Sequence, residues 1–160
     1  MVEFFAYAAD CRLSGQVELV GARLSDQLNS ARDVLILDAE LEDLADGHLV
    51  ALPELTVGHE DICAVVAGGP RGDAARRLNT RKALVVVEVG PYRILGWVHG
   101  PPTADPFASV LRRGAWLPLT DATLTYRRGP DEVTDNVTTL LVNRHLIRTF
   151  RVAEAGPELP

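Results

Sequence analysis

Four histidines and two cysteines are the residues of this sequence with the widest range of chemistry. The histidines are His48, His59, His99 and His145, and the cysteines are Cys11 and Cys63. Histidine can act as an acid, a base or a metal ligand near neutral pH. His59 precedes the carboxylates of Glu60 and Asp61, so an interface that joined it to His145 would offer a two-site metal or acid-base arrangement. Turn histidines on polar loops are the alternative interpretation.

The spacing of the other reactive side chains matches no catalytic set. Cys11 and Cys63 lie in apolar segments without a Cys-x-x-Cys or Cys/His cluster, which indicates structural thiols rather than a zinc site. No serine lies in a Gly-x-Ser-x-Gly elbow, and no glycine-rich loop has the spacing that binds nucleotide phosphates. The sequence therefore predicts a protein that is not an enzyme and that needs no cofactor or resident metal.

The two halves of the chain match each other in register, which indicates an internal duplication. Three pairs of segments match in the same order: 12–17 with 93–98, 38–41 with 121–124, and 57–62 with 142–147. The offset grows from 81 to 83 to 85 residues, and each increase falls in a polar or Gly/Pro-containing stretch where loops accept insertions. This pattern predicts two tandem repeats, 1–67 and 84–153, joined by a basic linker at 68–83 and followed by a flexible tail at 154–160.

Each repeat is predicted to contain five strands, because short runs rich in Val, Leu and Ile are bounded by Gly, Asp and Pro. The predicted strands are 3–8, 12–20, 34–44, 48–57 and 62–67 in the first repeat and 83–89, 92–99, 116–127, 136–143 and 147–152 in the second. Asp46-Gly47 and Gly90-Pro91 predict tight turns. A short helix between strands 2 and 3 is predicted from apolar pairs four residues apart, Leu24 with Leu28 and Phe107 with Leu111.

The third strand of each repeat changes the phase of its apolar alternation, just before Asp38 in the first repeat and Asp121 in the second. Such a phase change is typical of a β-bulge or a sharp bend. Strong bending of a long strand favours a small closed barrel. The predicted fold class is therefore all-β, with two tandem, strongly bent, five-stranded barrel-like units that each carry one short helix.

Charge is distributed unevenly around a net value of −6. Residues 1–67 carry a net charge of −10, residues 68–83 carry +4, and residues 84–160 are neutral. The acidic half disfavours generic DNA binding, because like charges repel over a Debye length of about 8 Å. A local contact would fall to the basic cluster of Arg71, Arg76, Arg77, Arg81 and Lys82, for which a solvated linker is the alternative interpretation.

No stretch reaches the roughly 18 apolar residues that a membrane-spanning helix needs, and the N-terminal residues lack the basic start of a signal peptide. These observations predict a cytoplasmic protein without a membrane partner.

The first repeat resembles the Sm-like (LSm) family of small β-barrels. The resemblance lies in Asp26-Gln27-Leu28-Asn29, then Val34 to Ala39 ending in Leu37-Asp38-Ala39, and then Val57-Gly58-His59 before the last strand. It implies a five-stranded barrel that assembles through its strand edges. It also implies that Asp26, Asn29, Gly58 and His59 would contact single-stranded RNA.

Two functions follow as expectations. The first is a non-enzymatic assembly or ligand-binding module with a homo-oligomeric or protein partner. The second is a single-stranded RNA-binding protein that uses the Asp26–Asn29 loop and the arginine-rich linker.

Overall fold

The computed structural model describes residues 1–18, 24, 28, 33–67, 81–100 and 115–153. These residues form ten strands, so the all-β prediction is confirmed. The strands are β1 (Val2–Ala8), β2 (Cys11–Val17), β3 (Asp33–Asp43), β4 (Leu49–Gly58), β5 (Ile62–Val66), β6 (Arg81–Val89), β7 (Tyr92–Gly100), β8 (Trp116–Arg128), β9 (Asp131–Asn143) and β10 (Ile147–Val152). Single 3-10 turns, His59–Asp61 and Arg144–Leu146, precede β5 and β10. A search of the described residues finds no helix with the length and apolar character needed to cross a membrane.

All ten strands belong to one antiparallel sheet with the order β10-β6-β7-β8-β9-β5-β1-β2-β3-β4. Within the described ranges β10 and β4 each pair with a single strand, so the order of the sheet is open. Two tandem barrel-like units were expected from the sequence; the structure has instead one continuous sheet, because β5 and β9 pair with each other. The physical reason is that these strand segments are apolar on both faces, so their pairing buries both.

Most strand boundaries agree with the prediction, and the largest difference is at β9. That strand begins at Asp131, five residues before the predicted start at Asn136. Between Asp131 and Asp135 only Val133 is apolar, so the apolar alternation that marks the other strands is absent there. A two-residue turn at Gly129-Pro130 joins it to β8, and Gly129 adopts a φ of 60° that favours glycine. The predicted tight turn at Gly90-Pro91 is confirmed by the pairing of Val89 with Tyr92.

Both predicted bulges are confirmed. Asp38 and Asp121 have positive φ values of 50° and 48°. The pairing of β2 with β3 shifts register between Ser14 and Gln16, and the pairing of β7 with β8 shifts between Leu95 and Trp97. A glycine stands at each shift, Gly15 in β2 and Gly96 in β7.

The core consists of two clusters of buried apolar side chains, and each contains residues from both halves of the chain. One cluster combines the interior of β6–β9 with Tyr7, Leu44, Cys63 and Ala64. The other combines the interior of β1–β3 with Trp116 and Leu141. Leu24 and Leu28 have helical backbone and are buried in this second cluster, while the rest of the two predicted short helices lies outside the described residues.

Candidate functional site

The residues predicted to bind RNA do not form one described cluster. Asp26, Asn29, Arg71, Arg76 and Arg77 lie outside the described residues. Arg81 and Lys82 belong to β6, where the Lys82 ammonium lies 4.6 Å from the centre of the Trp97 ring. Gly58 ends β4, and His59 begins the 3-10 turn that follows.

His59 is the first residue of its 3-10 turn, whereas His145 is the second residue of the other, and their surroundings differ. The His59 ring packs edge-on against Trp116 with the ring centres 5.9 Å apart, and its Nε2 is buried without a hydrogen-bond partner. His145 is exposed. Across the described part of the chain, no three His, Cys, Asp or Glu side chains are placed to hold a metal ion. The described residues therefore do not assemble the two-site metal arrangement.

The strongest contact between the two halves is the pairing of β5 with β9, which we call the seam. Ala64 pairs with Val142, Val65 with Leu141, and Val66 with Leu140. Five of these six residues are buried, and all six are apolar. A further hydrogen bond of 2.9 Å from the Ala67 N–H to the Thr139 carbonyl extends the seam. Burial on both faces makes this joint a continuation of the two cores.

Asn143 fixes the end of the seam. Its Nδ2 donates hydrogen bonds to the carbonyl oxygens of His59 at 3.0 Å and Ile62 at 3.1 Å. Its Oδ1 accepts a hydrogen bond from the His145 N–H. Asn143 is only 3 % exposed, so these bonds satisfy polar groups that water does not reach.

A tyrosine cluster spans the two halves beside the seam. The rings of Tyr7, Tyr92 and Tyr126 pack edge to face with centres 5.3 to 5.9 Å apart. The hydroxyls of Tyr7 and Tyr126 donate to the same Asp135 oxygen at 2.9 and 2.7 Å, and the Tyr92 hydroxyl donates to the Ala8 carbonyl. Burial, with the hydrogen bond to Asp135, raises the pKa of Tyr126 to about 12. Burial also raises the pKa values of Tyr7 and Tyr92 well above the ordinary value.

Cys63 is buried and Cys11 is half-buried, both lie close to Tyr92, and neither thiol is activated. Burial raises the pKa of Cys63 to about 11. Burial, with the neighbouring Asp10 carboxylate, raises the pKa of Cys11 to about 12. A nucleophilic cysteine needs a lowered pKa, so both behave as structural thiols in this geometry.

The two outer strands have opposite charge. The edge at β4 and its following turn carries Glu54, Glu60 and Asp61, all exposed. The edge at β10 carries the exposed Arg148 and Arg151, and Arg144 and His145 lie in the turn before it. An open strand edge presents backbone donors and acceptors that can pair with another strand.

A cleft of about 610 Å³ is lined by residues of both end strands, with Leu55 and Val57 of β4 on one side and Arg148 of β10 among the others. Its wall includes the apolar side chains of Leu13, Leu41, Leu55 and Val57, and its charged groups are Asp10, Glu60, Asp61 and Arg148. The Arg148 guanidinium is already held by the Gly90 carbonyl at 2.8 Å and by Glu88 at 3.8 Å. The cleft is therefore net acidic.

Comparison of the chain with protein-family models, with curated proteins and with solved structures found no match. The function must therefore be argued from the geometry of the molecule itself.

Sequence reasoning missed the residues that join the two halves. Tyr7 is far along the chain from Asp135, and Asn143 is far from His59, and nothing in their local sequence indicates either contact. One signal was available for Asn143, because the repeat places an asparagine where the first half has Gly58. A difference of that kind between two copies of one unit can mark a contact that only one copy makes.

Proposed function

We propose that this protein is an assembly module, built from two five-stranded units, whose open edges join copies of the same chain head to tail. The observation that carries this proposal is the seam, because there the chain already joins its two halves by antiparallel pairing of strand edges. The strands at the two ends of the sheet, β10 and β4, are the repeat counterparts of β5 and β9, which form the seam.

Matching strand registers support this correspondence. In the first half, Ala8 pairs with Ile62 and Tyr7 with Ala64, with a register shift between the two pairs. In the second half, Val89 pairs with Ile147 and Glu88 with Thr149, with a shift at the same place. The backbone of β10 is therefore arranged on β6 as the backbone of β5 is arranged on β1.

The seam register can be carried over to the open edges. It places Thr149 of one copy opposite Val57 of the next, and Arg151 opposite Leu55. Because β10 and β4 are different surfaces, this joint is heterologous, and it repeats until a ring closes or a filament grows.

Light scattering combined with a single edge variant tests the proposal. The Ala153 N–H donates to the Leu84 carbonyl at 2.9 Å, so the N–H of Val152 points to the opposite, open side of β10. Val152→Pro removes that donor and places a ring on the edge without taking a hydrogen bond from β6. We expect the unmodified chain to form an oligomer, with a mass of several times 17.4 kDa. The variant should be a monomer with unchanged thermal stability.

Val152→Thr is the matched control, because it changes the side chain but keeps the N–H, and it should still assemble. A monomeric unmodified chain would contradict the proposal. Assembly that persists in Val152→Pro would show that copies join elsewhere.

RNA binding remains the alternative prediction, since most of its candidate residues lie outside the described part of the chain. The ratio of absorbance at 260 and 280 nm on the same chromatographic peak tests it directly. A ratio typical of nucleic acid on a peak prepared without nuclease would favour the RNA-binding function.

A further inference from the structure

We infer that the cleft beside Cys11 is a binding site for a small cationic aromatic molecule, that is, a ring that carries an ammonium group. This inference goes beyond the assembly function and does not depend on it, because residues of a single chain line the cleft. It follows from comparing the wall of the cleft with the corresponding residues in the other half of the chain.

The apolar wall of the cleft corresponds to closed core in the second half. The matching segments and the matching strand registers relate each wall residue to one residue of the second half. The wall residues are Ala8, Cys11, Leu13, Leu41, Leu55 and Val57. Their counterparts are Val89, Tyr92, Ile94, Leu124, Leu140 and Val142, each at most 1 % exposed. The same strand positions therefore form solid core in one half and the wall of an open cleft in the other.

The largest difference in side-chain size between these two sets is at Cys11. Cys11 and Tyr92 are each the first residue of a strand, β2 and β7 respectively. The Tyr92 ring is buried against Tyr7 and Tyr126, and its hydroxyl donates to the Ala8 carbonyl. Cys11 is half-buried and has no ring, so the cleft that it lines has room for one. The cleft volume of about 610 Å³ lies within the range of roughly 300 to 1,000 Å³ that is typical of small-molecule sites.

Three carboxylates line the cleft, and none of their counterparts in the second half is acidic. Asp10, Glu60 and Asp61 correspond to Pro91, His145 and Leu146. The Arg148 guanidinium of the cleft is held by the Gly90 carbonyl and by Glu88. A cleft lined by charges of one sign attracts ligands of the opposite sign, and its apolar wall favours a ring. These contacts together select an aromatic ring with an ammonium group over a neutral or anionic ring.

Tyramine is the probe for this site, because it joins the phenol ring of a tyrosine side chain to an ammonium group. Titration followed by heteronuclear NMR should give saturable shifts of the amides of Cys11 and Val57. p-Cresol has the same ring without the charge. It should bind about threefold more weakly, since ion pairs at a partly exposed site contribute modestly.

Cys11→Tyr and Cys11→Ser form a matched pair of variants. Cys11→Tyr places in the first half the residue that closes the second, so the affinity for tyramine should fall at least about tenfold. Cys11→Ser adds no volume and should bind tyramine like the unmodified chain. Circular dichroism and thermal unfolding measure whether both variants are folded.

Glu60→Gln and Asp61→Asn test the charge without altering the apolar wall, since both side chains are exposed. Each should weaken tyramine binding about threefold and leave p-cresol binding unchanged. Glu54→Gln is the matched control, because it removes an exposed acid of β4 outside the described wall of the cleft. It should bind both probes like the unmodified chain.

The outcomes separate this inference from the proposed function. Absence of saturable shifts at millimolar tyramine, or tyramine binding that Cys11→Tyr leaves unchanged, would overturn the site. Equal affinities for tyramine and p-cresol would overturn the cationic class of ligand. Light scattering of the same samples measures assembly separately, so an assembled chain that does not bind tyramine would refute the site and leave the assembly function in place.

Discussion

Individual hydroxyl and amide groups hold the two halves of the molecule in a fixed relation. All three tyrosines of the chain belong to the one cluster, and two of them share a single Asp135 oxygen. Asn143 adds buried polar contacts at the end of the seam. Buried polar groups of this kind cost free energy when a partner is removed, so they favour one arrangement of the halves over others.

Alkaline pH should destabilise the fold through these tyrosines. Their pKa values are raised in the folded chain, so the folded state favours the neutral hydroxyls. This stabilisation is fully present below pH 10.0, the ordinary pKa of tyrosine. It is lost as the pH rises through the pKa values of the folded chain, and the pKa of Tyr126 there is about 12. Urea unfolding at pH 8 and pH 11 should therefore give a lower free energy of unfolding at pH 11.

Ultraviolet difference spectra provide the direct check on this prediction. Tyrosinate absorbance should develop above pH 10 and together with unfolding. A folded chain whose three tyrosines titrate near 10.0 would contradict the described burial and hydrogen bonds.

At the scale of the strands, the two bulges set the bend of the sheet. Each combines an aspartate of positive φ with a glycine on the neighbouring strand. The two glycines differ in the distance that a Cβ atom added to each would have from the nearest atoms of the adjacent strand. A Cβ added to Gly15 would lie 2.4 Å from Ile36 Cγ2 and 2.7 Å from the Leu37 carbonyl oxygen, whereas at Gly96 the nearest atom is Leu119 Cβ at 3.1 Å.

Gly15→Ala and Gly96→Ala form a matched pair for testing the bulges. We expect Gly15→Ala to lower the free energy of unfolding by about 3 kcal/mol, because the strand backbone must move to relieve the overlap. Gly96→Ala should cost about 1 kcal/mol, because only a small adjustment is needed there. Equal costs measured by denaturant unfolding would argue against the close approach at Gly15.

At the scale of the whole molecule, the two halves share their cores. Trp116 and Leu141 of the second half lie in the cluster of the first, and Tyr7 and Cys63 of the first lie in the cluster of the second. Separation of the halves would expose apolar surface in both clusters. The chain should therefore unfold as one cooperative unit, despite its repeated sequence.

The two tryptophans allow each half to be followed separately. Trp116 reports on the core cluster of the first half, and Trp97 lies in β7 of the second half under Lys82. Trp97→Phe and Trp116→Phe leave one fluorophore each, and urea unfolding of each variant should coincide with its loss of far-ultraviolet circular dichroism. A fluorescence transition that precedes the circular dichroism transition in either variant would show that the halves unfold independently.

The sequence by itself determined the strands, their order along the chain and the bulges. Alternation, turn residues and the phase change before Asp38 and Asp121 are local signals, and local backbone chemistry is sufficient to produce them. The same reasoning placed the start of β9 too late, because the polar residues from Asp131 to Asp135 are strand-forming only through their pairing with β8.

Only the tertiary structure decided that β5 pairs with β9, that three distant tyrosines meet, and that Asn143 clamps the turn at His59. Each of these contacts joins residues far apart in the chain, so it depends on how strands of similar composition are arranged in space. The same arrangement leaves an acidic edge at β4 and a basic edge at β10. Charges dispersed along the sequence become two opposed surfaces only after the sheet has formed.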